Sequence, residues 1–155
     1  MAKVEFRRLE YGDPVVQRLV GDAMADLGAR YGGDGDESPI DVADFRPPRG
    51  AFLVAFLDGV PVACGAWRSH GDDGELAELK RMYTAPHARG RGVARQVLAA
   101  VEESARAHGR RRMILECGDR QPEAIALYQA CGYERIEDFG FYRGHPGVRS
   151  FGRDL

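Results

Sequence analysis

The period of the apolar positions changes repeatedly along the chain, and each change predicts an element. Val4 and Phe6 alternate with polar neighbours, which predicts a strand at about 3–9. Asp13-Pro14 has the residue types of a helix start, with Asp as N-cap and Pro at the first helical position. Val15, Val16, Leu19, Val20, Ala23, Met24 and Leu27 then recur at helical spacing. Gly32-Gly33-Asp34-Gly35-Asp36 breaks that pattern and predicts a mobile loop around 31–38. Ser38-Pro39 reads as the cap of a short second helix over about 39–45, ended by Arg46-Pro47-Pro48.

Ala51–Leu57 is apolar on both faces, as a central strand would be. Asp58-Gly59 is a hairpin signal, and Pro61–Arg68 reads as the return strand. A turn at His70–Gly74 leads to a strand of about 75–84, and Pro86, which lacks an N–H, closes it. Val93, Val97, Leu98, Val101 and Ala105 mark a helix that Gly109 stops. Met113–Cys117 reads as a buried strand, and a strand, helix and strand in this length predict a parallel pair. A further helix is expected over about 122–131, then strands at Tyr133–Glu137 and about 149–154. Between those strands lies a loop with Phe139, Phe141, Tyr142 and His145. The expectation is a mixed α/β fold with about four helices, in one domain spanning 1–155, because no linker divides the chain.

Composition narrows the class. Of the 155 residues 44% are hydrophobic and 30% charged, ordinary values for a globular protein. No apolar run approaches the roughly 20 residues of a membrane helix, and MAKVEFRRLE lacks the apolar core of a signal peptide. The reading is cytoplasmic, with no membrane partner. Cys64, Cys117 and Cys131 have no metal-like spacing and are read as free thiols. The net charge of −2 hides an asymmetry: nine Lys/Arg face two acids from Lys80 to Arg112, and nine acids face two arginines from Glu10 to Asp44. The basic segment lacks the interleaved aromatics of a nucleic-acid surface, so a small anion explains it better.

That anion has a place. Arg89-Gly90-Arg91-Gly92-Val93-Ala94 leads into a helix whose first turn offers unpaired N–H groups and the positive end of its dipole. Two glycines let the backbone bend tightly, and Arg89, Arg91 and Arg95 add charge. A diphosphate suits such a cradle. A dinucleotide GxGxxG from Gly90 would require glycine where Arg95 stands, and neither Lys3 nor Lys80 sits in a P-loop setting.

With Pro86 before it, Arg89-x-x-Gly92-x-Ala94 resembles the acyl-coenzyme A signature of the GCN5-related N-acetyltransferase (GNAT) family. Ala124-Ile125-Ala126-Leu127-Tyr128 followed by Cys131-Gly132-Tyr133 is similar to a second motif of that family, with Tyr133 in place of Phe. The resemblance spans essentially the whole chain. It implies a strongly twisted sheet whose strands at 75–84 and 113–117 splay apart around acetyl-CoA. The diphosphate would lie on Arg89, Gly90, Arg91, Gly92, Val93 and Ala94. The pantetheine arm would pair with the backbone of Met82, Tyr83 and Thr84 as an added strand. Gln121 stands where many relatives carry Asn beside that arm.

The implied chemistry is direct attack of a neutral amine on a thioester, without a metal and without an acyl-Cys117 intermediate. A base must take the proton of the amine. The spacing of Glu78 ahead of Arg89 is similar to that of the glutamate base of some relatives. Glu75, Glu116 and ordered water are the alternatives. Tyr128 matches the family tyrosine that protonates the departing thiolate, and a phenol pKa of roughly 10 suits the task. A non-catalytic acyl-CoA sensor is the second reading. The acceptor, expected to be a small-molecule amine of a bacterial pathway, would be selected by the first helix region and the loops at 31–38 and 139–148. Glu37, Asp41 and Asp44 are candidates to hold a cation, and Phe139, Phe141 and Tyr142 to pack an apolar group. Exposed edge strands make a homodimer an expectation as well.

Overall fold

The computed structural model describes residues 3–155. Strands β1 (Val4–Arg8), β2 (Gly50–Leu57), β3 (Val60–His70), β4 (Leu76–Thr84), β5 (Arg112–Gly118), β6 (Glu134–Arg135) and β7 (Val148–Asp154) form one sheet. Their order in it is β1-β2-β3-β4-β5-β7-β6. Three α-helices are present among the described residues: α1 (Pro14–Tyr31), α2 (Val93–Ala107) and α3 (Pro122–Ala130). None is long and apolar enough to cross a membrane.

Local chemistry accounts for most boundaries. Asp13 caps α1 by accepting from the Val15 N–H at 2.8 Å, with Pro14 behind it. At the β2–β3 turn Asp58 and Gly59 both take positive φ, 51° and 80°, as a two-residue hairpin of matching twist requires. The expected fourth helix is absent: only a 3-10 turn, Val42–Phe45, stands in the 39–45 stretch. Asp41 takes the capping role, accepting from the Ala43 N–H at 2.9 Å, while the Asp44 carboxylate accepts from the Asp41 N–H at 3.1 Å. Ser38, the expected cap, instead turns its hydroxyl to Lys80 Nζ at 2.7 Å. Tertiary pairing outcompetes the local cap.

The first four strands form an antiparallel meander. β4 and β5 are the parallel pair, but only over Leu76↔Arg112, Ala77↔Met113 and Glu78↔Ile114. Beyond Glu78 each strand stays paired on its far side, β4 to β3 as far as Thr84 and β5 to β7 as far as Gly118. The two inner edges therefore diverge with their backbone groups unpaired. On one face of the sheet Ala77, Leu79, Met113 and Leu115 pack on Val97, Leu98 and Val101 of α2. On the other, Val16, Leu19 and Val20 of α1 pack on Phe52, Val54, Cys64 and Ala66. At Gly65 a Cβ would meet Met82 Sδ at 2.6 Å and Val97 Cγ1 at 2.8 Å, so glycine here lets α2 approach the sheet. Glu102, on the buried side of α2, accepts from the Tyr133 hydroxyl at 2.7 Å and from Arg153 through both oxygens at 3.0 Å. A buried carboxylate so paired ties α2 to the C-terminal strands.

Candidate active site

The cradle begins where β4 ends. Gly90 and Gly92 have φ of 77° and 76°, left-handed values that disfavour any side chain. Gly92 is the N-cap of α2 and no side chain caps it, so the first-turn N–H groups stay available. A Cβ at either glycine would meet no protein atom within 4 Å, so both positions open onto free space. Arg89 braces the loop, donating from Nε to the Thr84 carbonyl at 2.9 Å with its guanidinium 5.8 Å from the Tyr83 ring centre. Arg91 and Arg95 are exposed beside the helix mouth. Uncapped amides and mobile cations of this kind fit a diphosphate. The unpaired edge of β4 through Met82, Tyr83 and Thr84 fits an extended amide chain.

A cavity of about 660 Å³ occupies the splay. Its walls include the consecutive residues Leu79 and Lys80 of β4, and Leu115 and Glu116 of β5. Neighbours on a strand face opposite sides, so the cavity passes through the sheet. Tyr128 of α3 closes the α2 side and Met24, Leu27 and Tyr31 of α1 the other. Tyr128 is 6% exposed. Burial, helped by the nearby Cys117, pushes its phenol above the ordinary range, so its proton is retained. Among the described residues nothing hydrogen-bonds its hydroxyl.

The two carboxylates of interest stand on neighbouring strands and on one face. Glu78 and Ile114 are register partners, and Glu116 lies two residues beyond Ile114. Glu78, expected as the base, is 5% exposed and lies outside the cavity lining. Arg68 donates to it at 3.0 Å, with His70 Nδ1 4.0 Å away. Glu116 lines the cavity, and its Oε2 is buried without a hydrogen-bond partner. Burial first, then the charge of Glu78, push its carboxyl up to about 7 against the pull of Lys80 and the Tyr142 N–H. The signal in the sequence is a lone carboxylate inside the apolar run Met113–Cys117.

The acceptor loops are tied together by Asp36. Its Oδ2 accepts from Lys80 Nζ at 2.8 Å and Arg81 Nη1 at 2.6 Å. Its Oδ1 accepts from the Ser38 N–H and the Tyr142 hydroxyl, each at 2.9 Å. Burial opposes its ionisation, but the Lys80 charge and the Lys80 and Ser38 hydrogen bonds outweigh that and hold the carboxyl below its usual range. Sequence reasoning missed this knot. Two of the three acids expected to hold a cationic substrate have structural duties: Asp41 caps the 3-10 turn, and Asp44 accepts from Arg68 at 3.1 Å.

Gln121 lines the cavity and leans on Tyr31, Nε2 to hydroxyl 3.5 Å. The Tyr31 hydroxyl also accepts from the Arg120 N–H at 2.9 Å, and Arg30 pairs with Glu123, so the end of α1 locks onto the start of α3. Tyr31 fits because residue 118 is glycine: a Cβ there would overlap the Tyr31 ring and hydroxyl. Gly118→Ala is expected to destabilise the fold by about 1–3 kcal/mol, measured by denaturant titration.

Known proteins resemble this chain in sequence and fold. An IAA acetyltransferase of Azospirillum brasilense is 36% identical over 134 residues, 86% of each chain. A solved structure of a candidate acyl-CoA N-acyltransferase from Klebsiella pneumoniae superposes with a TM-score of 0.83 and 26% identity, covering 100% of this chain and 98% of that one. A candidate acetyltransferase from Salmonella typhimurium, solved with its cofactor acetyl-CoA, shares the fold at a TM-score of 0.73 and 16% identity, over 98% and 94% of the two chains. The model of the acetyltransferase (GNAT) family matches residues 6–133. With that match covering most of the chain and a splayed sheet beneath it, the protein is a member of the GNAT family of acetyltransferases.

Proposed function

We propose that the protein transfers an acetyl group from acetyl-CoA to the amine of a small molecule, with Glu116 as base and Tyr128 as hydrogen-bond donor to the leaving sulfur. The observation that carries this reading is Glu116, a carboxyl pushed up to about 7 with one oxygen, Oε2, buried without a partner on the wall of the cavity that Tyr128 closes. Such a group on a cavity wall favours catalysis over a sensor. Acetyl-CoA, when bound, supplies a thioester open to attack by an uncharged amine. Arg89, Gly90, Arg91, Gly92, Val93 and Ala94 would hold its diphosphate, and the free edge of Met82, Tyr83 and Thr84 its amide-bearing arm, with Gln121 on the cavity wall nearby. Glu116 takes the proton of the acceptor amine at Oε2, since at neutral pH its carboxylate is partly free to do so. Burial removes the match to a thiol expected of the Tyr128 phenol, so Tyr128 keeps its proton and donates it in a hydrogen bond to the leaving sulfur, and the thiolate takes up a proton from water as the products leave. Glu78 acts through its charge, raising the proton affinity of Glu116.

The role of Glu78 has its own test. Glu78→Gln is expected to move the acid limb of the kcat/KM profile to lower pH, because a charge that raised the Glu116 pKa is gone. A loss of about 10²–10⁴ at every pH would instead make Glu78 the base. The function itself is tested by thiol release from acetyl-CoA across a panel of primary amines. Amine-dependent release is expected. Binding of acetyl-CoA with no release on any amine would overturn the reading.

A further inference from the structure

Lys80 and Arg81 are consecutive strand residues, which ordinarily face opposite sides of a sheet. Here both bond the same oxygen, Asp36 Oδ2. A bulge makes this possible: pairing with β3 jumps from Ala66↔Lys80 to Cys64↔Tyr83, so Arg81 and Met82 together oppose Gly65. Arg81 takes φ of 59°, a left-handed conformation that costs a long side chain roughly 1 kcal/mol. Bulges of this kind re-aim side chains beside active sites.

The re-aimed side chain is underused. Arg81 lines the cavity with its side chain 6% exposed, and its Nε is buried without a partner. A guanidinium has five N–H donors. Among the described residues only the bond from Nη1 to Asp36 claims one. Lys80, by contrast, has two bonds, to Asp36 and Ser38. Two cations thus share one carboxylate. Arg68 in turn stands between two carboxylates, Glu78 and Asp44, so the face is balanced as a whole while Arg81 itself keeps N–H groups without an acceptor; Glu116 stands across the splay on β5. The cavity has one wall where two cations share a carboxylate and Arg81 keeps free donors, and another wall with a proton acceptor. The coenzyme cradle does not account for the first, since it lies beyond the end of β4 at residues 89–94, whereas Arg81 faces Asp36 and the Tyr142 loop.

We infer that the acceptor is an amino carboxylate, whose carboxylate is held by the free N–H groups of Arg81 beside Lys80 while its amine faces Glu116. The inference rests on the acetyl-transfer reading above and adds the substrate class. Arg81 is a specificity residue in this account.

The test compares the standard L-amino acids, each with its decarboxylated amine and its amide, by thiol release from acetyl-CoA. At least one amino acid is expected to exceed both counterparts in kcat/KM by about tenfold or more, the effect of one charge-assisted pair. Arg81→Gln is expected to bring that ratio towards one, chiefly through KM. Its affinity for acetyl-CoA, measured by calorimetry, is expected to stay within about twofold and to report an intact fold. Arg81→Lys, which keeps the charge but not the fork, should retain part of the ratio. Amines or amides turned over as well as every amino acid would overturn the inference and leave acetyl transfer standing. So would a ratio unchanged in Arg81→Gln. The wild-type comparison decides even where a variant is unstable. No release with any acceptor, despite bound acetyl-CoA, would overturn acetyl transfer and this inference together.

Discussion

Replacing Glu116 by Gln is expected to lower kcat by about 10²–10⁴ and to make the folded protein more stable. The first effect is the contribution of a positioned general base. The second follows from the sign of the shift. Burial and the charge of Glu78 raise the Glu116 carboxyl from 4.5 to about 7, so the folded state disfavours the ionised form. The unfolded chain loses this proton near 4.5. The penalty is therefore absent below that pH, grows as pH rises, and is complete above about 7. The carboxyl is partly open to solvent, which screens it, so ~1–2 kcal/mol is the expected gain in Glu116→Gln at pH 8. Loss of turnover with gain of stability separates a functional group from a structural one. Parallel measurement of kcat and of unfolding free energy at pH 6 and pH 8 checks both halves. A variant that is both slower and less stable would mark Glu116 as part of the scaffold.

The second large effect is expected at the cradle. Gly92→Asp should weaken acetyl-CoA binding by about 100-fold or more, ~3 kcal/mol, by calorimetric titration. A negative side chain would enter the space over the uncapped amides that a diphosphate needs, and reverse the favourable field of the α2 terminus. No protein atom lies within 4 Å of the added Cβ, so the protein itself has room for the side chain. The φ of 76° adds strain, and Gly92→Asn, which tolerates that conformation and carries no charge, separates the two causes. Asn should retain most of the affinity. Equal losses in both variants would assign the effect to backbone strain or to the occupied space and not to charge.

The meander, the crossover helix and the cradle were legible in the sequence because each rests on local chemistry. Asp13-Pro14, Asp58-Gly59 and the paired glycines before Val93 are turn and cap signals that the structure uses as such. The same reasoning failed at 39–45, where Ser38 had a distant partner, Lys80, that no local rule could weigh against a helix cap. Glu134–Arg135 is also shorter than the strand expected at Tyr133–Glu137, since pairing with β7 involves only Gly152 and Phe151. The site divided along the same line. The residues expected to hold the cofactor belong mostly to contiguous motifs. Glu116 owes its character to burial and to Glu78 on the next strand, a relation that exists only once the parallel register is set. Arg81 owes its direction to a bulge, and nothing in Leu79–Thr84 announces one.

The most direct test of the account is the pH dependence of kcat/KM for thiol release, from about pH 5.5 to about pH 9, in the wild type and Glu116→Gln. The wild type should show a limb that rises tenfold per pH unit and levels off near pH 7, set by the Glu116 carboxyl. That limb should vanish in the variant, leaving only the titration of the amine itself at higher pH. The same limb near pH 7 in Glu116→Gln would contradict the account, because another group would then be taking the proton.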